Sequence, residues 1–385
     1  MKYNFAKKIL ISLAAGLFLA AFTLPAAAEN AVPVPELTMK AQVLRVINQK
    51  EIVRENGSKA LQQDIEIGIL EGSRRGQKVI SLGVGDIDNI SSNIYNEGDK
   101  VIVSLNRDDA GRESWYIVDY VRTPVLAWLL VIFVVIVLAI GGLKGFMSLL
   151  SLTVSFFLIM KVFVPLVLKG YNPLATGIVI AFLILFAIIY LTEGWNRKAH
   201  VAVISILISL LITALLSWSF SEASRLTGMT QEETLFLVGT AAPLDFKNLL
   251  LAAMILGTLG VLDDVAVGQI ETVTQIRRAN RKLSDWKLFK MGMNVGQAHL
   301  GAIINTLFLA YAGASLPLVL LFSLNHEPFI TVFQVLNNEQ VATEIVRTLV
   351  GVIGLCLAVP IATFLAVRYA KSSDSETKNN SHENH

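Results

Sequence analysis

Seven apolar runs fix the architecture this chain can adopt: Val125 to about Leu143, Phe146 to Leu168, Pro173 to Leu191, His200 to Phe220, Phe246 to Val267, Met291 to Ala312 and Ile345 to Ala366. Each is near the roughly 20 residues a helix needs to cross a bilayer. Only helices or closed barrels satisfy their backbone groups in hydrocarbon, and runs of this length and continuity read as helices. The 385 residues are 54% hydrophobic, with a mean hydropathy of +0.60, too apolar for a soluble globular protein. The fold class is therefore an α-helical polytopic membrane protein. A net charge of +2 leaves no overall nucleic-acid footprint. The single cysteine, Cys356, lies inside an apolar run, so no disulfide or thiolate metal cluster is expected, and no cofactor is called for.

Export is read at the start of the chain. Lys2, Lys7 and Lys8 precede an apolar core from Ile9 to Phe22, and Pro25 is followed by Ala26, Ala27 and Ala28. This is a signal-peptide pattern over residues 1–28, with a mature start at Glu29; the alternative is an uncleaved signal anchor. Both place residues 29–122 outside the cytoplasm. In that segment alternation appears in Lys40 to Val46, Gln63 to Leu70, Gln77 to Leu82, Lys100 to Leu105 and Trp115 to Val121, separated by turn signals such as Asn56-Gly57 and Glu97-Gly98-Asp99. Five short strands predict a small closed barrel of OB-like type, placed close to the bilayer because almost no linker follows it. Arg74, Arg75 and Lys78 read as a solvated turn without the stacking aromatics of a single-strand binder. Tyr95, Trp115, Tyr116 and Tyr120 read as barrel filling or as contacts with the membrane surface. The expected partner of this domain is an envelope component.

Residues 124–369 form the bundle and residues 370–385 a polar tail expected to be disordered. With the N-terminal domain outside, alternation sends Lys144, Arg197, Lys198 and the cluster from Arg277 to Lys290 to the cytoplasmic side. The other side receives only Lys169, Arg225 and Lys247. This positive-inside bias agrees with the signal sequence and places the chain in the cell membrane. The stretch Leu316 to Leu336, interrupted at Asn325-His326-Glu327-Pro328, either crosses as a broken helix, giving eight spans, or does not, giving seven. Charge favours seven.

Within the fifth run, Leu251 to Glu271 carries Asp263 and Asp264 late in a glycine-punctuated apolar stretch. Carboxylates there are costly and normally face a bundle interior, a hydrated cavity or a positive partner. At 100° per residue Gly257, Gly260, Asp264, Gly268 and Glu271 share one face, expected to meet another helix, and Asp263 points elsewhere. On the next run Asn294, Gln297, Gly301 and Asn305 form one stripe, and Gly292, Gly296 and His299 another, at a depth similar to the aspartates. The amides line a hydrated path or hydrogen-bond helices together. His299 reads as a packed histidine, since no second ligand stands at metal spacing. Glu344 and Arg347 can pair with each other, Arg347 can serve as a counter-charge to Asp264, and Lys161 either snorkels or supplies internal positive charge.

The run GTLGVLDDVAVGQ, followed by NTLFLAYAGASLPL and EIVRTLVGVIGLCLAVP, resembles the YibE/F-like family of multi-spanning bacterial membrane proteins. The resemblance covers nearly everything after the signal sequence. It implies a membrane bundle and carries no reaction or substrate with it.

Three functions remain open. The first is a transporter or channel for a small solute or ion, with a proton- or cation-linked path through Asp264 lined by Asn294, Gln297 and Asn305. The second is a membrane scaffold or accessory subunit whose barrel binds an envelope component. The third, an intramembrane hydrolase using Asp263, Asp264 or His299, ranks lowest, because adjacent residues on a helix diverge and no catalytic motif supports it.

Overall fold

The computed structural model describes residues 38–53, 59–81, 94–107, 111, 113–229, 244–323 and 331–382. The signal segment and Asn325 to Pro328 lie outside the described residues. The chain divides into two compact units, one ending at Ile136 and the other beginning at Val137.

The first unit contains five antiparallel strands: β1 (Thr38–Val53), β2 (Lys59–Ile69), β3 (Lys78–Ser81), β4 (Lys100–Arg107) and β5 (Glu113–Tyr120), in the order β3-β2-β1-β4-β5. Alternation buries one face: Met39, Ala41 and Val43, then Ile65, Ile67 and Ile69, then Val101, Val103 and Leu105, with Trp115 and Ile117. The long β1 pairs with β2 on one side and β4 on the other, and its pairing with β2 shifts register twice, after Val43 and after Val46. Such bulges increase twist and curl the sheet. The two edges, β3 and β5, are not hydrogen-bonded as strands, so the expected closed barrel is a half-barrel.

Side chains bridge the opening. Arg74, in the turn before β3, holds Glu113 of β5 with both terminal nitrogens at 2.6 Å, and Arg107 adds a bond at 2.9 Å. The Arg74 guanidinium also lies over the Trp115 ring, 5.6 Å from its centroid. Arg74 is thus a clamp, where the sequence suggested a solvated turn. Hydrogen bonds from Arg74 first, and from Arg107 second, pull the Glu113 carboxyl from its ordinary 4.5 down to about 2.

The remaining elements are helices: α1 (Thr123–Leu168), α2 (Pro173–Thr192), α3 (Arg197–Ala223), α4 (Phe246–Ala279), α5 (Asp285–Ala314), the short α6 (Leu316–Ser323) and α7 (Val332–Asn337), and α8 (Glu339–His382). Among the described residues six, α1 to α5 and α8, are long and apolar enough to cross a membrane. Asn172, Asn196, Asp245 and Ser284 cap α2 to α5, each accepting a backbone N–H three residues on.

The first two apolar runs both fall inside α1. Its backbone leaves helical geometry at Gly142 (φ 55, ψ −128), a conformation open to glycine and closed to most other residues. Beyond it, Gly145 approaches the carbonyl oxygen of Val137 so closely that a Cβ there would collide with it. Eight residues of straight helix would separate these groups by about 12 Å. The chain therefore turns a sharp corner at Gly142 and gives α1 two arms. A π-helical turn, Leu158–Phe163, interrupts the second arm and carries the half-buried Lys161.

In the second unit α4 is the central helix, packed against α2, α3, α5 and α8. Leu259, Leu262 and Ala266 of α4 meet a core that includes Leu185, Ile206, Leu355 and Ala362. Small residues set the spacing. An added Cβ at Gly177 of α2 would lie 2.7 Å from the Ala252 Cβ, and one at Gly354 of α8 would collide with the Thr213 hydroxyl of α3.

Candidate functional site

Two ion pairs fix the register of α3 against α4. Lys198 bonds Glu271 at 2.8 Å near one end, and Lys247 pairs with Glu222 near the other. Both pairs keep the same antiparallel alignment, which puts Asp263 level with Ile206 and beside the level of Ser205. At 1.5 Å per residue Asp263 lies about 24 Å from the Lys247 end and about 12 Å from the Lys198 end. The acid is therefore well inside the span, in the third nearer the more basic end.

The two aspartates differ in environment. Asp263 is 9% exposed, and Asp264 stands on the open side of α4. Asp263 accepts a bond from the Asp264 backbone N–H at 3.0 Å. Among the described residues no basic side chain is within ion-pair distance of it. Of the face containing Gly257, Gly260, Asp264, Gly268 and Glu271, expected to meet a helix, Glu271 reaches Lys198 of α3, whereas a Cβ at any of the three glycines would touch nothing within 4 Å among the described residues. The opposite face carries the larger side chains and hence the larger dispersion gain on packing.

That opposite face also carries Gln269, a residue the sequence reading passed over. Its Nε2 donates at 2.7 Å to the Gly292 carbonyl of α5 and at 2.7 Å to the Thr363 hydroxyl of α8. Gly292 and Gly296 make room for it; a Cβ on Gly296 would sit 2.9 Å from the Gln269 Oε1 and 2.5 Å from Val359. Of the polar residues on α5, Asn294, Gln297, His299 and Asn305 are all exposed. The first two and Asn305 lie on the face turned away from Gly292 and Gly296. They do not join Asp263, and His299 is not packed between helices as its spacing with those glycines suggested.

A second feature missed in the sequence is a buried hydroxyl ladder on α3: Ser205, Ser209, Thr213, Ser217 and Ser221, four residues apart throughout and all at most 1% exposed. The i, i+4 spacing was the available signal, hidden because hydroxyls in an apolar run read as small filler. Ser205, Ser209 and Thr213 donate to the carbonyl four residues back. Ser217 and Ser221 do not, and their buried hydroxyls have no hydrogen-bond partner among the described residues; the same holds for Thr343 Oγ1 and Arg347 Nε on α8. The Gly354–Thr213 contact and the bond from the Thr227 hydroxyl to Glu339 at 2.7 Å set α8 antiparallel to α3. That register brings Ser217 and Ser221 level with Val350 and Val346, and so with Arg347. Arg347 itself pairs with Glu344 at 2.8 Å, not with Asp264. Among the described residues no group of three His, Cys, Asp or Glu is placed to hold a metal ion.

Long apolar helices packed around a buried acid, an amide tie and a hydroxyl ladder define a class, the α-helical multi-pass membrane protein. Within it the chain belongs to the YibE/F-like protein family, whose model matches residues 129–372. The match begins inside α1 and leaves out the five strands, so it covers less of the chain than the resemblance read from the three motif runs. No curated protein and no solved structure matches the chain.

Proposed function

We propose that this protein is a transporter or channel in which movement of a small solute or ion is linked to a proton or cation at Asp263. The observation that carries this reading is the burial of Asp263 inside the bundle with no basic partner among the described residues. A carboxylate in that position gains from an arriving proton or cation far more than one in water does. The α3 ladder supports the same reading. It reaches the level of Asp263 at Ser205 and extends about 24 Å to Ser221, with hydroxyls able to relay a proton or replace a hydration shell. Asp264 and the amides of α5, on open faces, lie off this route.

The proposed topology has seven crossings: two arms of α1, then α2 to α5 and α8. The basic loops are cytoplasmic, and the strand unit is exported by the signal at residues 1–28 of a cell-membrane protein. The test is proton and cation flux into proteoliposomes holding the purified protein, with thermal stability measured alongside. Asp263→Asn abolishes flux at near-unchanged stability, and Asp264→Asn retains most of it. Full flux in Asp263→Asn, or loss only in Asp264→Asn, sinks the assignment.

A further inference from the structure

We propose that two copies of this chain pair through the open face of α5, helix against helix and in the same direction. Asn294, Ala298, Gly301, Asn305 and Phe308 follow one another at steps of four, three, four and three residues, and all are exposed. This is the 3.5-residue period of a seam that meets a like helix at about 20°. The opposite face is already used, since Gly292 and Gly296 make room for Gln269 and Val359. Among the described residues nothing occupies the seam. A Cβ on Gly301 would meet nothing within 4 Å, and the Asn294, Gln297 and Asn305 side chains make no hydrogen bond. Lipid is a poor cover for this face, because hydrocarbon offers the amides neither donor nor acceptor. Yet α5 is at once the least apolar and the most open of the six long helices. By contrast α1, nearly as open, is the most apolar, as a helix facing lipid should be.

A second copy supplies what the face lacks. Copies inserted the same way are related by a two-fold axis along the membrane normal, so each seam residue meets its own equivalent. An amide is donor and acceptor at once and can therefore pair with itself across the axis. Ala298 and Gly301, between the two asparagines, let the backbones approach closely. No Lys, Arg, Asp or Glu lies between Lys290 and Glu327 to repel its copy. Lys290 itself is about 16 Å from Gly301 along the axis, beyond the apolar run. Pairing through α5 requires only that this helix crosses a bilayer, so it stands or falls separately from transport.

The test counts subunits by single-molecule photobleaching of the full-length protein in vesicles of phosphatidylcholine and phosphatidylglycerol, over a range of protein-to-lipid ratios. Wild type shows a monomer–dimer equilibrium. Asn294→Leu with Asn305→Leu weakens association about tenfold, roughly threefold for each amide. Gly301→Leu, whose side chain enters open space in its own chain, keeps thermal stability and also weakens association. With Cys356 replaced by Ser, Ala298→Cys and Phe308→Cys cross-link between copies on oxidation. Leu211→Cys, at a position of α3 that is 61% exposed, does not. Monomers at every ratio would overturn the pairing, as would dimers that keep full affinity in both the double variant and Gly301→Leu. Ready labelling of Ala298→Cys and Phe308→Cys by an impermeant maleimide would assign the face to a water-filled path and overturn it as well.

Discussion

Asp263 and Asp264 are chemically identical neighbours, and 100° of helical rotation gives one to the bundle interior and the other to an open face. The site therefore rests on which acid is buried, a distinction that helical angle can pose and only packing can settle. Outside the spans, Glu113 offers the clearest single-residue prediction. Its carboxyl is held at about 2 by Arg74 and Arg107, below the ordinary 4.5 it has in an unfolded chain. The stabilisation is complete above about 4.5 and is lost as pH falls from there through about 2. Hydrogen exchange at the β4 and β5 amides, corrected for intrinsic rate, should show protection falling across that window in wild type. Glu113→Gln should show weaker protection at neutral pH and a flatter acid profile, and an unchanged profile would mean that the clamp does not hold the half-barrel.

At the scale of elements, helix spacing is set where a missing Cβ lets a neighbour in. Gly354 of α8 against Thr213 of α3 is the tightest such contact between helices, and it lies in the middle of the hydroxyl ladder. Gly354→Ala should lower stability by about 1–3 kcal/mol through overpacking. Adding Thr213→Ala removes the opposing hydroxyl, and the double variant should recover most of the loss in thermal unfolding. If the two substitutions simply add, α3 and α8 do not touch there. Gly142 acts differently, since its left-handed φ turns the corner in α1 with no neighbour involved. The sequence Gly141-Gly142-Leu143-Lys144-Gly145 announced a break at this place. Two apolar runs were legible on either side of it, and the near-continuous helical backbone through the corner was not.

For the whole molecule the decisive measurement is sidedness. With Cys356 replaced by Ser, single cysteines at Arg107, Lys144, Thr227 and Arg281 can be labelled by an impermeant maleimide in sealed vesicles. Seven crossings place Arg107 and Thr227 on one side and Lys144 and Arg281 on the other. If α1 crosses once, six crossings result and Arg107 and Arg281 react from the same side. The sequence by itself determined that the chain is a membrane protein, where its long apolar helices lie and which segments form the strands of the N-terminal sheet. Those properties follow from local composition and from periods of 3.6 and 2 residues, which each segment carries alone. Tertiary structure decided that the sheet stops at a half-barrel and that Gly257, Gly260 and Asp264 face outward. It also decided that Gln269, Asp263 and the α3 hydroxyls are among the polar groups buried inside. A helix has several faces of comparable apolarity here, and which one is buried depends on the size and shape of the surface each neighbour presents, information that no single segment contains.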